Sequence, residues 1–263
     1  MIFLNKKSDD EYIEMFAKGC GVNPTPLESW SYESSNEPLV IRGIMKHKII
    51  KQCWEDGRDF LYMDSGYFGN RANPLNPNGW KLWHRIVPNN LQHGDIIQRP
   101  ADRWEQHQTQ LKPWRKTGNK ILVAAPDEKP CIFYGITLDQ WLEETVASIK
   151  KFTDRPIEIR QRNKNRQVRV ANSFEDALSD VFAVVTFNSI AATESIIQGI
   201  PAFVLAPCNA AMPVANTDLS TIDSPWYADR DTVEAWAHHL AYGQFHIDEL
   251  KSGKAKEILD VRV

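Results

Sequence analysis

Several residues able to do group-transfer chemistry fall just past apolar runs of this chain. Asp64 follows the run at 60–63 and precedes Ser65, Gly66 and Tyr67. A carboxylate at the carboxyl end of a strand, beside a glycine that lets a ligand approach, suits a general base. Aspartate also caps turns, so Asp64 reads both as a base and as a turn cap. Arg42 and Gly43 end the run that starts at Pro38. In a parallel sheet Arg42 would lie next to Asp64, to bind a phosphate or to fix the carboxylate. His84 is a second candidate base, because imidazole titrates near working pH. A single histidine also serves structure, and that reading stands beside the first. With Trp83, Arg85, Arg42 and Tyr67 it makes up an acceptor side. Arg160 and Arg162 end a further run, and guanidinium forks match phosphate oxygens. The adjacent Asn-Lys-Asn-Arg stretch reads equally as a solvated loop.

The clearest unit spans 181–207, VFAVVTFNSIAATESIIQGIPAFVLAP. Its β-branched first run predicts a strand buried on both faces. A polar turn at 187–189 follows, then a short helix stopped by Gly199 and a second buried strand. This is a βαβ unit of a parallel sheet, in which ligands bind at the carboxyl ends of strands beside helix starts. Asn188, Ser189, Thr193 and Glu194 fall at that edge, where a phosphate and a ribose would sit. Pro126, in the turn after the run at 120–125, falls at the same edge.

The remaining elements repeat this alternation. Strands are predicted at 2–4, 38–44, 60–63, 120–125 and 156–160. Helices are predicted at 9–18 with Ser8 as N-cap, 47–55, 137–152, from Ser173 to 178, 231–242 and 248–259. Residues 71–110 show no period, and a stretch that long without structure of its own is usually functional. Two α/β halves joined near 112–118 is the simplest organisation, at 1–115 and 116–263. The chain carries no GxGxxG and no P-loop motif. These absences weigh against a dinucleotide oxidoreductase and a P-loop kinase.

The strand, Asn-Ser turn, small-residue helix start, Glu and Gly-Ile-Pro strand resemble the nucleotide-sugar half of GT-B-fold glycosyltransferases. Residues 241–255, AYGQFHIDELKSGKA, resemble glycosyltransferase-like proteins encoded by tailed phages. The resemblance covers 121–259 well and the first half loosely. It implies an α/β fold of two Rossmann-like parallel-sheet halves facing each other, in a compact version. It also implies that Ser189 and Ala191 contact the donor phosphates, that Glu194 holds the ribose, and that the base comes from the first half. The donor implied is a nucleotide sugar, a UDP-sugar in the first instance, with no metal or other cofactor.

Composition sets the class of partner. The chain has 263 residues, 42% hydrophobic and 25% charged, with a net charge of −3. Residues 41–120 hold 14 Lys or Arg against 7 Asp or Glu, whereas 121–263 hold 14 against 20. The basic stretch, with Trp80, Trp83 and Trp104 and the phage resemblance, points to double-stranded DNA bearing a hydroxymethylated pyrimidine. Tryptophans also stack on sugars, so a glycan or small-molecule acceptor is the alternative. A non-catalytic module that binds nucleotide or DNA is the second class. Cys20, Cys53, Cys131 and Cys208 lack metal or disulfide spacing, which fits a reducing cytoplasm. No apolar run reaches the ~20 residues of a membrane helix, so the expected protein is soluble and cytoplasmic, in the host if phage-encoded.

Overall fold

Short apolar strands alternate with amphipathic helices along the chain, and each strand is paired with a neighbour that shares its buried faces. The structure, a computed structural model, describes residues 1–6, 10–70, 79–161 and 174–261. Its elements begin with β1 (Ile2–Asn5), α1 (Glu11–Gly19), β2 (Thr25–Pro26), β3 (Leu39–Arg42), α2 (His47–Asp56), β4 (Phe60–Ser65), β5 (Trp83–Pro88) and α3 (Asp102–Glu105). Next come β6 (Lys120–Ala124), α4 (Glu128–Tyr134), α5 (Leu138–Ile149), β7 (Ile157–Arg160), α6 (Phe174–Ala177), β8 (Val181–Thr186), α7 (Ala191–Ile197) and β9 (Ala202–Val204). The last are α8 (Arg230–Tyr242), β10 (Gln244–His246), α9 (Ile247–Ser252) and α10 (Lys254–Leu259).

The chain divides into two compact units, Met1–Leu91 with Ala241–Val263, and Gln92–Leu240. This differs from the expected division at 115/116. The C-terminal residues return to the first unit because β10 pairs antiparallel with β5, Phe245 opposite His84. The expected connector at 112–118 is built into the second unit instead. There the Lys112 amide donates to the Ile197 carbonyl at 2.9 Å and the Arg115 amide to the Gly199 carbonyl at 2.7 Å. Gly199 has φ 75°, and a Cβ there would collide with the Pro113 carbonyl. This position therefore requires glycine twice over, for its conformation and for close approach.

The first unit has a six-stranded sheet in the order β10-β5-β4-β3-β1-β2. β1 pairs parallel with β2 and β3, and β3 with β4; β5 runs antiparallel to β4. β5 lies inside the stretch that shows no sequence period. On one face, Phe3, Val40, Leu61, Met63, Ile86 and Phe245 pack with Ile13, Phe16 and Leu250 from the helices. Residues 12, 13, 16 and 17 form the buried stripe of α1, the spacing of an amphipathic helix. A Cβ on Gly19 would strike the Leu250 carbonyl oxygen, so the glycine lets α1 and α9 meet backbone to backbone. Ser8 and Asp9 lie outside the described residues. Asp10 occupies the N-cap position of α1 without a side-chain capping bond.

The second unit has a fully parallel sheet in the order β7-β6-β8-β9. Alternate strand residues bury on opposite faces, as a sheet covered on both sides requires. Ile121, Val123, Ala183 and Val185 pack with Trp141 and Ile149 of α5. Leu122, Ala124, Val181 and Val184 pack with Leu178, Ala191 and Ile200. Thr137 caps α5, accepting from the Gln140 amide at 3.3 Å. Ser173, the expected cap of α6, lies outside the described residues. Each unit is thus an α/β layer structure; the second is all-parallel, and the first carries one reversed strand.

Candidate functional site

At the carboxyl end of β4, Tyr62 and Asp64 share one face of the first sheet, as residues two apart on a strand do. Asp64 Oδ2 accepts from the Tyr62 hydroxyl at 2.7 Å and from Arg85 Nη2 at 3.5 Å. Its Oδ1 accepts from the Ser65 amide at 2.8 Å. The carboxylate remains one-third exposed. Burial pulls its pKa upward, but the Arg85 charge, the Tyr62 hydroxyl and the Ser65 amide together outweigh burial and hold it below the usual value. The Tyr62 hydroxyl is raised well above its ordinary pKa, by burial and then by Asp64, so it stays a donor. Asp64 is therefore an ionised, oriented and partly accessible carboxylate. One of its oxygens sits on the turn amide, as the turn-cap reading expects, and the other lies in the charged web with Tyr62 and Arg85.

Arg85 does not present its guanidinium to an acceptor. Its Nε donates to the Leu91 carbonyl at 3.1 Å and Nη1 to the Ser65 carbonyl at 2.6 Å. The side chain is buried over the Tyr62 and Tyr67 rings. Its role is to fix Asp64 and the turn after β4. Tyr67 is fully buried, so the expected acceptor contact is replaced by packing, with its amide on Gln244 Oε1 at 2.7 Å. Trp83 is half-buried, its ring 5.2 Å from His246 and its backbone clamped on both sides by the Asn70 amide.

The opposite face of the same edge carries a second charged group. Asp10, nearly inaccessible, binds Lys46 Nζ at 2.9 Å and Arg42 Nη1 at 3.3 Å. This explains why it does not cap α1. Arg42 lies over the Tyr12 ring at 4.6 Å, and His84 stacks on Tyr12 at 4.0 Å. Arg42 is thus held by Asp10, where the sequence suggested Asp64. His84 is 2% exposed, and its Nε2 sits 3.1 Å from the Lys81 carbonyl. Burial, and then the Arg42 charge, lower its pKa to about 4. The buried neutral ring, with its Nε2–H bound to a carbonyl, corrects the reading of His84 as a base.

In the second unit, β6 connects to β7 on one side, and β8 then returns to the other side of β6. The carboxyl ends of β6 and β8 therefore flank a topological switch point, the usual crevice for ligands in open parallel sheets. Thr186 Oγ1 ties the two strands there, donating to the Ala124 carbonyl at 2.8 Å. The loop after β8, Asn188 to Ile190, is half-exposed. Two buried amide side chains hold it from behind. Gln92 Nε2 donates to the Asn188 carbonyl at 2.8 Å while its Oε1 accepts from the Ala210 amide at 2.9 Å. Asn209 Nδ2 donates to the Ser189 carbonyl at 3.3 Å, and its Oδ1 accepts from the Ala211 amide at 2.9 Å. Ser189 Oγ accepts from the Ala191 amide at 3.2 Å.

The structure thus brings Asn188, Ser189, Ala191 and the buried Pro126 to one edge, with Glu194 in the first turn of α7. Thr193 is a correction: its side chain is wholly buried and its hydroxyl has no hydrogen-bonding partner, so it cannot reach a nucleotide. Arg160 ends β7 and lies over Phe174 at 5.9 Å. Arg162 falls outside the described residues. Asp10, Tyr62, Gln92 and Asn209 were not singled out from sequence. The position of Asp10 between a strand and a helix was a usable signal; nothing local marked Gln92 or Asn209.

Among the described residues, no three His, Cys, Asp or Glu side chains gather as metal ligands would, and no helix is long and apolar enough to cross a membrane. All four cysteines are free thiols.

No family model matches the chain, and no curated protein matches it. Solved structures do. A Thermosulfurimonas dismutans protein described as KpsC, beta Kdo 2,4 transferase, is 11% identical over 88% of this chain and 93% of that one, with a TM-score of 0.44. A second, described as KpsC, beta Kdo 2,7 transferase, from the same organism, is 11% identical over 98% and 99%, with a TM-score of 0.45. At this identity and TM-score the likeness gives this chain neither a family nor an activity.

Proposed function

We propose that this chain is a glycosyltransferase that moves a sugar from a nucleotide-sugar donor to an acceptor hydroxyl without a bound metal. The observation that supports it is the second unit's strand order, which puts a switch point beside a half-exposed Asn-Ser loop braced by two buried amides. In this reading Asn188, Ser189 and Ala191 contact the diphosphate of a UDP-sugar, Glu194 holds the ribose, and Arg160 supplies positive charge. Asp64 takes the proton of the attacking hydroxyl.

A sugar or small-molecule hydroxyl is favoured over DNA as acceptor, because much of the basic stretch is engaged internally. Arg42 and Lys46 hold Asp10, and Arg58 donates to the Tyr32 and Glu37 carbonyls. Arg85 holds Asp64, and Arg115 donates to the Leu178 and Val181 carbonyls. A mobility shift that fades steeply with salt would reinstate DNA.

The direct test is calorimetric titration with UDP and other nucleoside diphosphates. We expect saturable binding that Glu194→Ala weakens by about one to two decades, the cost of a charge-assisted bond. Product release from a nucleotide sugar should survive EDTA. Failure of every nucleotide to bind would end this reading.

A further inference from the structure

We propose that two copies of this chain associate edge to edge through β7, pairing that strand with itself across a twofold axis at Ile159. Among the described residues β7 pairs only with β6. The Ile121 amide donates to the Pro156 carbonyl at 2.9 Å and the Ala125 amide to the Arg160 carbonyl at 3.0 Å. Backbone groups of alternate strand residues point to the same side, so those of 156, 158 and 160 face β6. The amides and carbonyls of Ile157 and Ile159 therefore point to the outer edge. An edge that carries such a row of groups is a template for a further strand.

Charge selects both the occupant and the register. The strand reads Ile157, Glu158, Ile159, Arg160, and Gln161 follows. Antiparallel self-pairing centred on Ile159 sets that residue opposite its own copy as a hydrogen-bonded pair, with Glu158 of each copy opposite Arg160 of the other. Centring one residue earlier sets Glu158 against Glu158, and one later sets Arg160 against Arg160; like charges directly opposite are destabilising. Glu158 also accepts from Lys120, on the next strand of its own sheet, at 2.6 Å. The helix beside the edge repeats the complementarity. Ile159, 48% exposed, lines a groove of about 400 Å³ with Leu142, Glu143, Val146 and Ala147 of α5 and Lys150 at its C-cap. The twofold lays the second copy's α5 antiparallel on the same face of the sheet. The Glu143 end of one strip then lies toward the Lys150 end of the other, with Val146 and Ile159 between them. A surface that complements its own copy in backbone and in charge is what an isologous dimer requires.

The test is sedimentation velocity of the full chain over a concentration series, without nucleotide. Arg160 also belongs to the proposed donor site and is left unaltered. The wild type should shift with concentration to the mass of two chains. Ile159→Asp sets a carboxylate against its own copy at the twofold, and should weaken association by at least about tenfold at an unchanged circular dichroism spectrum. Glu143→Lys and Lys150→Glu, both at exposed positions, should each weaken the dimer by about threefold. The two substitutions together should recover it, because the strip is then self-complementary again. If Ile159→Asp fails to fold, this exchange decides the matter. A monomer at every concentration, a dimer indifferent to Ile159→Asp, or a double exchange no tighter than the single variants would each overturn the proposal.

Discussion

At the end of β4 a carboxylate is held by a guanidinium, a phenol and an amide; at the end of β8 a loop is held by two neutral carboxamides. Both are carboxyl edges of parallel strands, and both are braced from within their own unit. The difference lies in where charge resides. The first edge keeps its own ionised groups in place: Asp64 against Arg85, Asp10 against Arg42 and Lys46. The second edge is braced without charge, its carbonyls pinned and its helix start built from small residues. An edge that carries its own braced carboxylate suits proton transfer, whereas at the second edge the braces are neutral and charge enters with Glu194 and Arg160.

The sharpest way to separate the two edges is Asp64→Asn. It keeps shape and removes basicity. A positioned general base contributes about 10² to 10⁴ in rate, so turnover should fall by that factor. Nucleotide affinity should stay unchanged, because the residues proposed to hold the donor belong to the other unit. A fall in nucleotide affinity of the same size would mean that the two edges do not divide the work.

Acid stability sharpens the comparison next. His84 has its folded pKa lowered to about 4 by burial and the Arg42 charge, and His239 in the second unit is lowered by burial and Arg99. A histidine depressed in the folded state takes up protons first when unfolded. Its contribution is therefore lost as pH falls from 6.5, the unfolded value. For His84 the loss should reach about 3 kcal/mol near pH 4 and then level off. Asp64, whose pKa is lowered from 3.8, loses its contribution only at more acidic pH. Urea denaturation of His84→Gln and His239→Gln across this window should flatten the slope in each, by the share that each unit holds. An unchanged slope in His84→Gln would show that the ring is protonated in the folded protein.

How much of this was legible in the sequence depends on where the buried polar groups lie. The unit at 181–204 was readable because Val181–Thr186 is apolar on both faces and Gly199 ends the helix. β5 was hidden because His84 and Arg85 occupy buried strand positions and break the apolar pattern, each being satisfied by tertiary contacts that sequence cannot display. β10 was hidden by its shortness, and the helix expected at 248–259 is two helices that break at Gly253. The consequence was the misplaced boundary near 115, since only β5–β10 pairing shows that the C-terminus returns to the first unit. Among site residues, Asp64 was legible as a carboxylate past a strand, whereas the braces Gln92 and Asn209 come from loops without local pattern.

Those braces give the third prediction. Gln92→Leu removes the partner of the Asn188 carbonyl and of the buried Ala210 amide. An unsatisfied buried group costs about 1–3 kcal/mol, so denaturant midpoints should fall accordingly, and nucleoside diphosphate affinity should fall with the loop's order. Preserved affinity at reduced stability would leave Gln92 a purely structural residue.

The smallest effect carries the opposite sign. Thr193 was expected to offer its hydroxyl to the donor, yet the oxygen is buried and unpartnered in α7. Thr193→Val replaces it by a methyl group of nearly the same shape. Removing a buried polar atom that has no partner recovers its desolvation cost, so the variant should be neutral or more stable by up to about 1 kcal/mol. Nucleotide affinity should not move. Calorimetric unfolding and a UDP titration on the same sample read both quantities. If the valine variant is less stable and binds nucleotide more weakly, the hydroxyl reaches the ligand after all. The second edge would then use polar groups from within α7 as well as from its surface loop, and the contrast with the charged edge would narrow.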